Sequence, residues 1–126
     1  DLLPIMQSDI QLQKENTILI IDAKYYSQTT QMRFNKYTIR SNHLYQIFTY
    51  VKNREYQFDK SKCTVSGMLL YAKTDELIQP DKIYQIHGNQ ISVRTLDLDR
   101  PFKEIEEQLD TIVLFHFEKT PKKIDY

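Results

Sequence analysis

Hydrophobic and polar positions follow several registers along this chain, and the changes of register divide it into elements. Residues 5–12 alternate, with Ile10 and Leu12 on one face and Asp9, Gln11 and Gln13 on the other, as in a half-buried strand. The polar stretch Gln13-Lys14-Glu15-Asn16 marks a short turn. Residues 17–26 form a second strand, so the two predict an antiparallel hairpin. The second strand is different in kind. Ile18, Leu19, Ile20 and Ile21 are apolar on both faces, which suits a strand inside a sheet. Yet the run passes without a turn residue into Asp22, Lys24, Tyr25 and Tyr26.

A polar, partly basic loop leads to Ser41, a good N-cap. Beyond it Leu44, Ile47, Phe48 and Val51 recur at helical spacing. They predict a helix from 41 to about 53 with those four toward the core and His43, Gln46 and Tyr50 on a separate stripe. The stretch TVSGMLLYA, 64–72, is nearly all apolar and reads as a central strand. Residues 82–87 and 90–97 read as a hairpin turning at Gly88-Asn89. Pro101 suits the first turn of a second helix, 101 to about 117, whose stripe is Ile105, Leu109, Ile112, Val113 and Phe117. The order ββαβββα implies an α/β fold, a mixed sheet flanked by helices.

Composition narrows the setting. At 126 residues with 40% hydrophobic and 27% charged residues, the chain suits one soluble domain with a real core. No apolar run approaches the ~20 residues of a membrane span, and no signal peptide is visible. The first residue is Asp rather than Met, as expected of a fragment or a processed product. One cysteine, Cys63, allows no internal disulfide and fits a reducing cytoplasm. Net charge is zero, but its distribution is uneven. Residues 22–62 hold eight Lys/Arg against three acids, and residues 75–118 hold ten acids against four bases. An anionic ligand should therefore meet the first half.

The candidate chemistry sits at the end of the second strand. Side chains alternate along a strand, so Asp22 and Lys24 share a face, about 6–7 Å apart. A surface salt bridge at a strand end would account for the two alone. Asp9 adds a second carboxylate. With an even-numbered hairpin turn, it lies on the face of Asp22, opposite it or one diagonal step away. Two carboxylates on neighbouring strands repel unless a cation lies between them. Mg²⁺ (or Mn²⁺) suits such a site, with Asp9, Asp22 and the Ala23 backbone carbonyl as candidate ligands. Lys24 beside it would orient a water or stabilise charge on a phosphate in transition. Gln46 and Tyr50, one helical turn apart, project together and could position water or phosphate. Arg40 and Ser41 at the helix start could hold a substrate phosphate, or Ser41 could simply cap.

Other chemistry-bearing residues read more plainly. His43, His87 and His116 match no zinc spacing. His87 reads as a turn residue and His116 as a helix-end residue. Asp97 and Asp99 alternate before the second helix, where capping is favoured over cation binding. Cys63 lacks the partners of a nucleophile. The nine tyrosines mostly suit half-buried strand positions.

Asp9, then a hydrophobic strand ending Asp22-Ala23-Lys24, then a helix with Gln46-x-x-x-Tyr50, resembles the PD-(D/E)xK nuclease superfamily and its RecB-like branch. The stretches LLPIMQSDIQL, LIIDAKYY, RSNHLYQIFTYV, GMLLYA and ISVRTLDL are similar to the McrC family, nuclease subunits of the McrBC 5-methylcytosine-dependent restriction systems. The likeness runs over most of residues 2–115. It implies a restriction-endonuclease-like nuclease domain over 1–118, the C-terminal part of a longer protein, with 119–126 as a tail. The first core helix of that superfamily would lie upstream of this chain. The resemblance implies that Asp9 and Asp22 bind Mg²⁺, that Lys24 is the catalytic lysine, and that Gln46 and Tyr50 support the site. It implies double-stranded DNA as substrate and an McrB-like AAA+ GTPase as partner, met through the upstream region. Two other readings stay open: a catalytically silent module that keeps the fold for partner binding, and a nuclease of the same superfamily in DNA repair or transposition.

Overall fold

The computed structural model describes residues 10–24, 41–57, 63–73 and 81–119. Asp9, Tyr25, Tyr26 and Arg40 lie outside these residues, as do the first residues of the expected first strand. The elements are β1 (Ile10–Lys14), β2 (Thr17–Lys24), α1 (Ser41–Tyr56), β3 (Thr64–Ala72), β4 (Lys82–Ile86), β5 (Asn89–Leu96) and α2 (Phe102–Lys119). The strands form a five-stranded mixed sheet in the order β1-β2-β3-β5-β4. β2, β3 and β5 run parallel, and β1 and β4 close the two edges antiparallel. The near-continuous apolar run of β3 takes the centre, as a strand covered on both faces must.

The period-two alternation sorts each strand between two cores. On one face Ile18, Ile20, Val65, Leu69, Tyr71, Ile91 and Val93 pack with Ile47, Tyr50 and Val51 of α1. On the other, Leu19, Ile21, Met68 and Leu70 pack with Leu12 and with Leu109, Ile112, Val113 and Phe117 of α2. One helix thus covers each face. Ile105, assigned to the α2 stripe with these residues, is half-buried. Gly67 sits where α1 crosses β3. A β-carbon there would lie 2.7 Å from Ile47 Cγ1 and 3.0 Å from Val51 Cγ2, so its absence lets the helix approach the sheet.

Several boundaries differ from the sequence reading. The first turn is not the whole Gln13–Asn16 stretch: Lys14 pairs with Thr17, leaving a two-residue turn at Glu15-Asn16. Glu15 takes the left-handed conformation, φ 55°. The second hairpin turns at His87-Gly88, not Gly88-Asn89, because those two residues hold the positive φ values, 47° and 85°. Asn89 instead opens β5, buried, with its amide donating to Val65 O at 3.0 Å and Glu55 Oε2 at 2.7 Å. Pro101 is the cap of α2 rather than part of its first turn, since its carbonyl accepts from Glu104 and Ile105 N–H.

The helix α1 is also rotated from the expected stripe. Its buried positions are His43, Ile47, Tyr50 and Val51, while Leu44 is only half-buried. Phe48 leaves the core and lies against His87, ring centroids 5.6 Å apart, with Lys52 Nζ 5.5 Å from its ring centre. Both patterns fit a period of 3.6 residues. The polar members of the observed one are buried because each has a hydrogen-bond partner.

Candidate functional site

The site forms where the buried strand β2 ends. Ile18, Ile20, Asp22 and Lys24 alternate onto the α1 face of the sheet, so the residues that follow the core become the floor under the start of α1. Asp22 is 5% exposed, and Lys24 is half-buried. Lys24 Nζ lies 3.1 Å from Asp22 Oδ2, an ion pair rather than an aligned hydrogen bond. The same ammonium donates to Gln46 Oε1 at 2.8 Å. Gln46 Nε2 in turn donates to the Tyr50 hydroxyl at 3.2 Å. Four sequence-selected residues, from two strand positions and one helix face, thus meet in one connected polar chain.

The chain has a direction. The Tyr50 oxygen takes the amide hydrogen of Gln46, which turns the amide oxygen toward Lys24. A protonated lysine then has an acceptor on each side, a carboxylate and an amide. This holds a flexible four-carbon stem in one place and keeps its charge beside the Asp22 carboxylate. Ala23, between the two, is exposed.

The register bears on the second carboxylate. The β1–β2 ladder pairs Ile10 with Ile21 across a two-residue turn, the even-numbered turn that the pairing of Asp9 with Asp22 requires. Asp9 itself lies outside the described residues, as does Arg40. Ser41 begins α1. Among the described residues no group of three His, Cys, Asp or Glu side chains could hold a metal ion.

One pair at the site escapes the sequence reading. His43 Nδ1 and the Tyr71 hydroxyl are 2.7 Å apart, and both side chains are buried. Tyr71 is the β3 partner of Lys24 in the parallel ladder. Its place beside the site depends on strand pairing across a helical crossover, which local periodicity does not carry.

The other candidates separate from this cluster. His87 is a turn residue. His116 is buried on the α2 side, its pKa pushed down to about 4 by burial and by the Arg94 charge. Asp97 closes the turn ahead of α2 rather than capping the helix: its carboxylate accepts from Asp99 N–H at 3.0 Å and from Arg100 Nε at 3.2 Å. The Asp99 hydrogen bond lowers its pKa. No helix among the described residues is long and apolar enough to cross a membrane.

No family model matches the chain. The chain is similar to a restriction enzyme. The relative is the type IV methyl-directed restriction enzyme EcoKMcrBC of Escherichia coli strain K12, 29% identical over 109 residues. The match takes in 86% of this chain and 30% of the relative, so the chain spans less than a third of that protein's length.

Proposed function

We propose that this chain carries the DNA-cleaving site of a restriction system, a Mg²⁺- or Mn²⁺-dependent phosphodiesterase on a restriction-endonuclease-like fold. The observation that carries the reading is the connected set Asp22, Lys24, Gln46 and Tyr50 at one end of the buried strand. A stray strand-end salt bridge would not recruit two helix residues in the order that orients the lysine. The similarity to a methyl-directed restriction enzyme supports the same reading and suggests the setting. In that setting an McrB-like AAA+ GTPase is the partner, double-stranded DNA the substrate, and methylation is read elsewhere in the assembly.

The donor chemistry fits a hard cation. Asp22 offers a carboxylate, and the Ala23 carbonyl is a second oxygen between the two motif side chains. Asp9, which lies outside the described residues, is the second carboxylate of this reading. Mg²⁺ takes one or two carboxylates and fills its remaining positions with water and phosphate oxygen. When bound, it would supply Lewis-acid polarisation of the phosphodiester and a lowered pKa for a water.

The chain's own residues do the rest. Lys24 presents a fixed positive charge where negative charge grows on the scissile phosphate. Gln46 holds that ammonium in place through its amide oxygen, and Tyr50 fixes the amide. Because these groups are set before substrate arrives, little reorganisation is needed at the moment of reaction. Arg40 and Ser41 would take a flanking phosphate at the start of α1.

The test is Asp22→Asn in the complete protein, assayed with its motor partner, GTP, Mg²⁺ and methylated plasmid. The variant keeps the side chain's shape and removes its negative charge. Cleavage should disappear while circular dichroism and assembly with the partner stay as in wild type. Broadening of Ala23 and Lys24 resonances by Mn²⁺ should disappear with it. Retained cleavage would reject the site, and retained fold with no wild-type cleavage under any condition would favour a silent module.

A further inference from the structure

Resting on the reading above, we propose that His43 and Tyr71 form a positioning pair, which holds the first turn of α1 over the end of β2 so that Gln46 meets Lys24. Neither residue touches the reacting atoms on this account. They act through Gln46.

The argument starts from the sheet. Lys24 and Tyr71 are paired positions of the β2–β3 ladder, so their side chains leave the sheet on the same face. Tyr71 is wholly buried and His43 is 3% exposed. A phenol hydroxyl and an imidazole nitrogen taken out of water must find partners, and these two meet at 2.7 Å with ring centroids 5.8 Å apart. A leucine and a phenylalanine would fill the same space without that desolvation. The polar pair adds what apolar packing lacks, a preferred distance and direction between helix and sheet.

That direction is passed on locally. His43 and Gln46 are three residues apart on α1, one turn of the same face. A continuous path therefore runs from β3 through Tyr71 to His43, along one helical turn to Gln46, and across to Lys24 and Asp22 on β2. The lower half of the helix is anchored separately. Ile47 and Val51 close on Gly67, and Lys52 Nζ donates to His87 O at 3.1 Å. Beside the Gln46–Lys24 bond itself, the His43–Tyr71 bond ties α1 to the sheet on the site side of that crossing.

The experiment compares Tyr71→Phe, His43→Leu and His43→Asn in the complete protein. Tyr71→Phe removes one oxygen and keeps the ring, so it should fold. Asn is expected to restore a polar atom near the place of Nδ1, whereas Leu restores only volume. Two readouts are taken: the Gln46 side-chain amide signals of ¹⁵N-glutamine-labelled protein, and cleavage kinetics on methylated plasmid. Tyr71→Phe and His43→Leu should move the Gln46 signals toward those of a solvated glutamine. They should lower kcat by about 10–100-fold, as small misplacements at an active site do, with KM for DNA unchanged. His43→Asn should recover most of both. Unchanged Gln46 signals and kcat in Tyr71→Phe would overturn the proposal, as would equal behaviour of His43→Leu and His43→Asn. If wild type fails to cleave DNA, the nuclease reading falls, and the Gln46 signals alone still decide whether the pair positions that residue.

Discussion

Gly67→Ala is the smallest change that should couple the packing of the fold to the site. On an ordinary strand, alanine in place of glycine restricts the unfolded chain and stabilises by about 0.4–1 kcal/mol. At Gly67 the new methyl would lie 2.7 Å from Ile47 Cγ1, 3.0 Å from Val51 Cγ2 and 3.1 Å from Ile91 Cδ1. Carbon atoms in contact prefer about 3.5–4.0 Å, so the nearest pair is short by about 1 Å. Ile47, Val51 and Ile91 are all fully buried and have no room to swing aside. Overpacking of a filled core costs about 1–3 kcal/mol, which outweighs the gain from the unfolded state. We expect a net loss of about 1–2 kcal/mol. The relief available is for α1 to rise from the sheet. A rise of about 1 Å would stretch the 2.8 Å Lys24–Gln46 hydrogen bond past its useful range. Urea unfolding of the variant, followed by plasmid cleavage under conditions where it is fully folded, measures both effects. Unaltered or increased stability together with wild-type cleavage would refute the packing argument and the coupling.

Ile47→Ala should cost about 2–5 kcal/mol, because it opens a cavity at the centre of the α1 core. Phe48→Ala should cost only about 1–2 kcal/mol, because its half-buried ring covers a turn rather than filling a core; equal losses in urea unfolding would mean that the stripe is misassigned. The buried His116 stays neutral in the folded chain down to about pH 4, while in the unfolded chain it takes up a proton near 6.5. Stability should therefore be full above pH 6.5 and fall as pH drops toward 4, by up to about 3 kcal/mol from this residue. His116→Gln should flatten that slope in pH-dependent thermal unfolding, and an unchanged slope would assign the loss to other groups.

The strand-end pattern was legible because strand parity is strict. Once 17–24 is a strand with Ile18 and Ile20 inward, Asp22 and Lys24 must follow them onto the same face. Gln46 and Tyr50 were legible for a similar reason, being one helical turn apart. The rotation of α1 was not. Hydrophobicity favours Phe48 over His43 for burial, and only a partner on another strand reverses that order. His43 is buried because Tyr71 meets it, and Tyr71 arrives by parallel pairing across the α1 crossover. Asn89 shows the same effect at a turn. Read locally, Gly-Asn marks the turn, but the Asn89 amide has acceptors on β3 and α1 that draw it into the strand. Sequence periodicity fixes which residues share a face. Long-range hydrogen bonds decide which polar residues go inside.

Lys24→Ala in the complete protein tests the central claim most directly. The substitution leaves Asp22 and Ala23 in place and removes the charge that Gln46 and Asp22 hold. Losing one such preorganised contact typically costs about 3–4 kcal/mol in the transition state, or about 10²–10³ in rate. The measurement is single-turnover cleavage of methylated plasmid with Mg²⁺, GTP and the motor partner, alongside DNA binding and thermal unfolding of the same preparation. The expected result is a cleavage rate lower by about 10²–10³ with binding and stability near wild type. Wild-type cleavage by Lys24→Ala would contradict the account, since the residue at the centre of the network would then have no part in the chemistry.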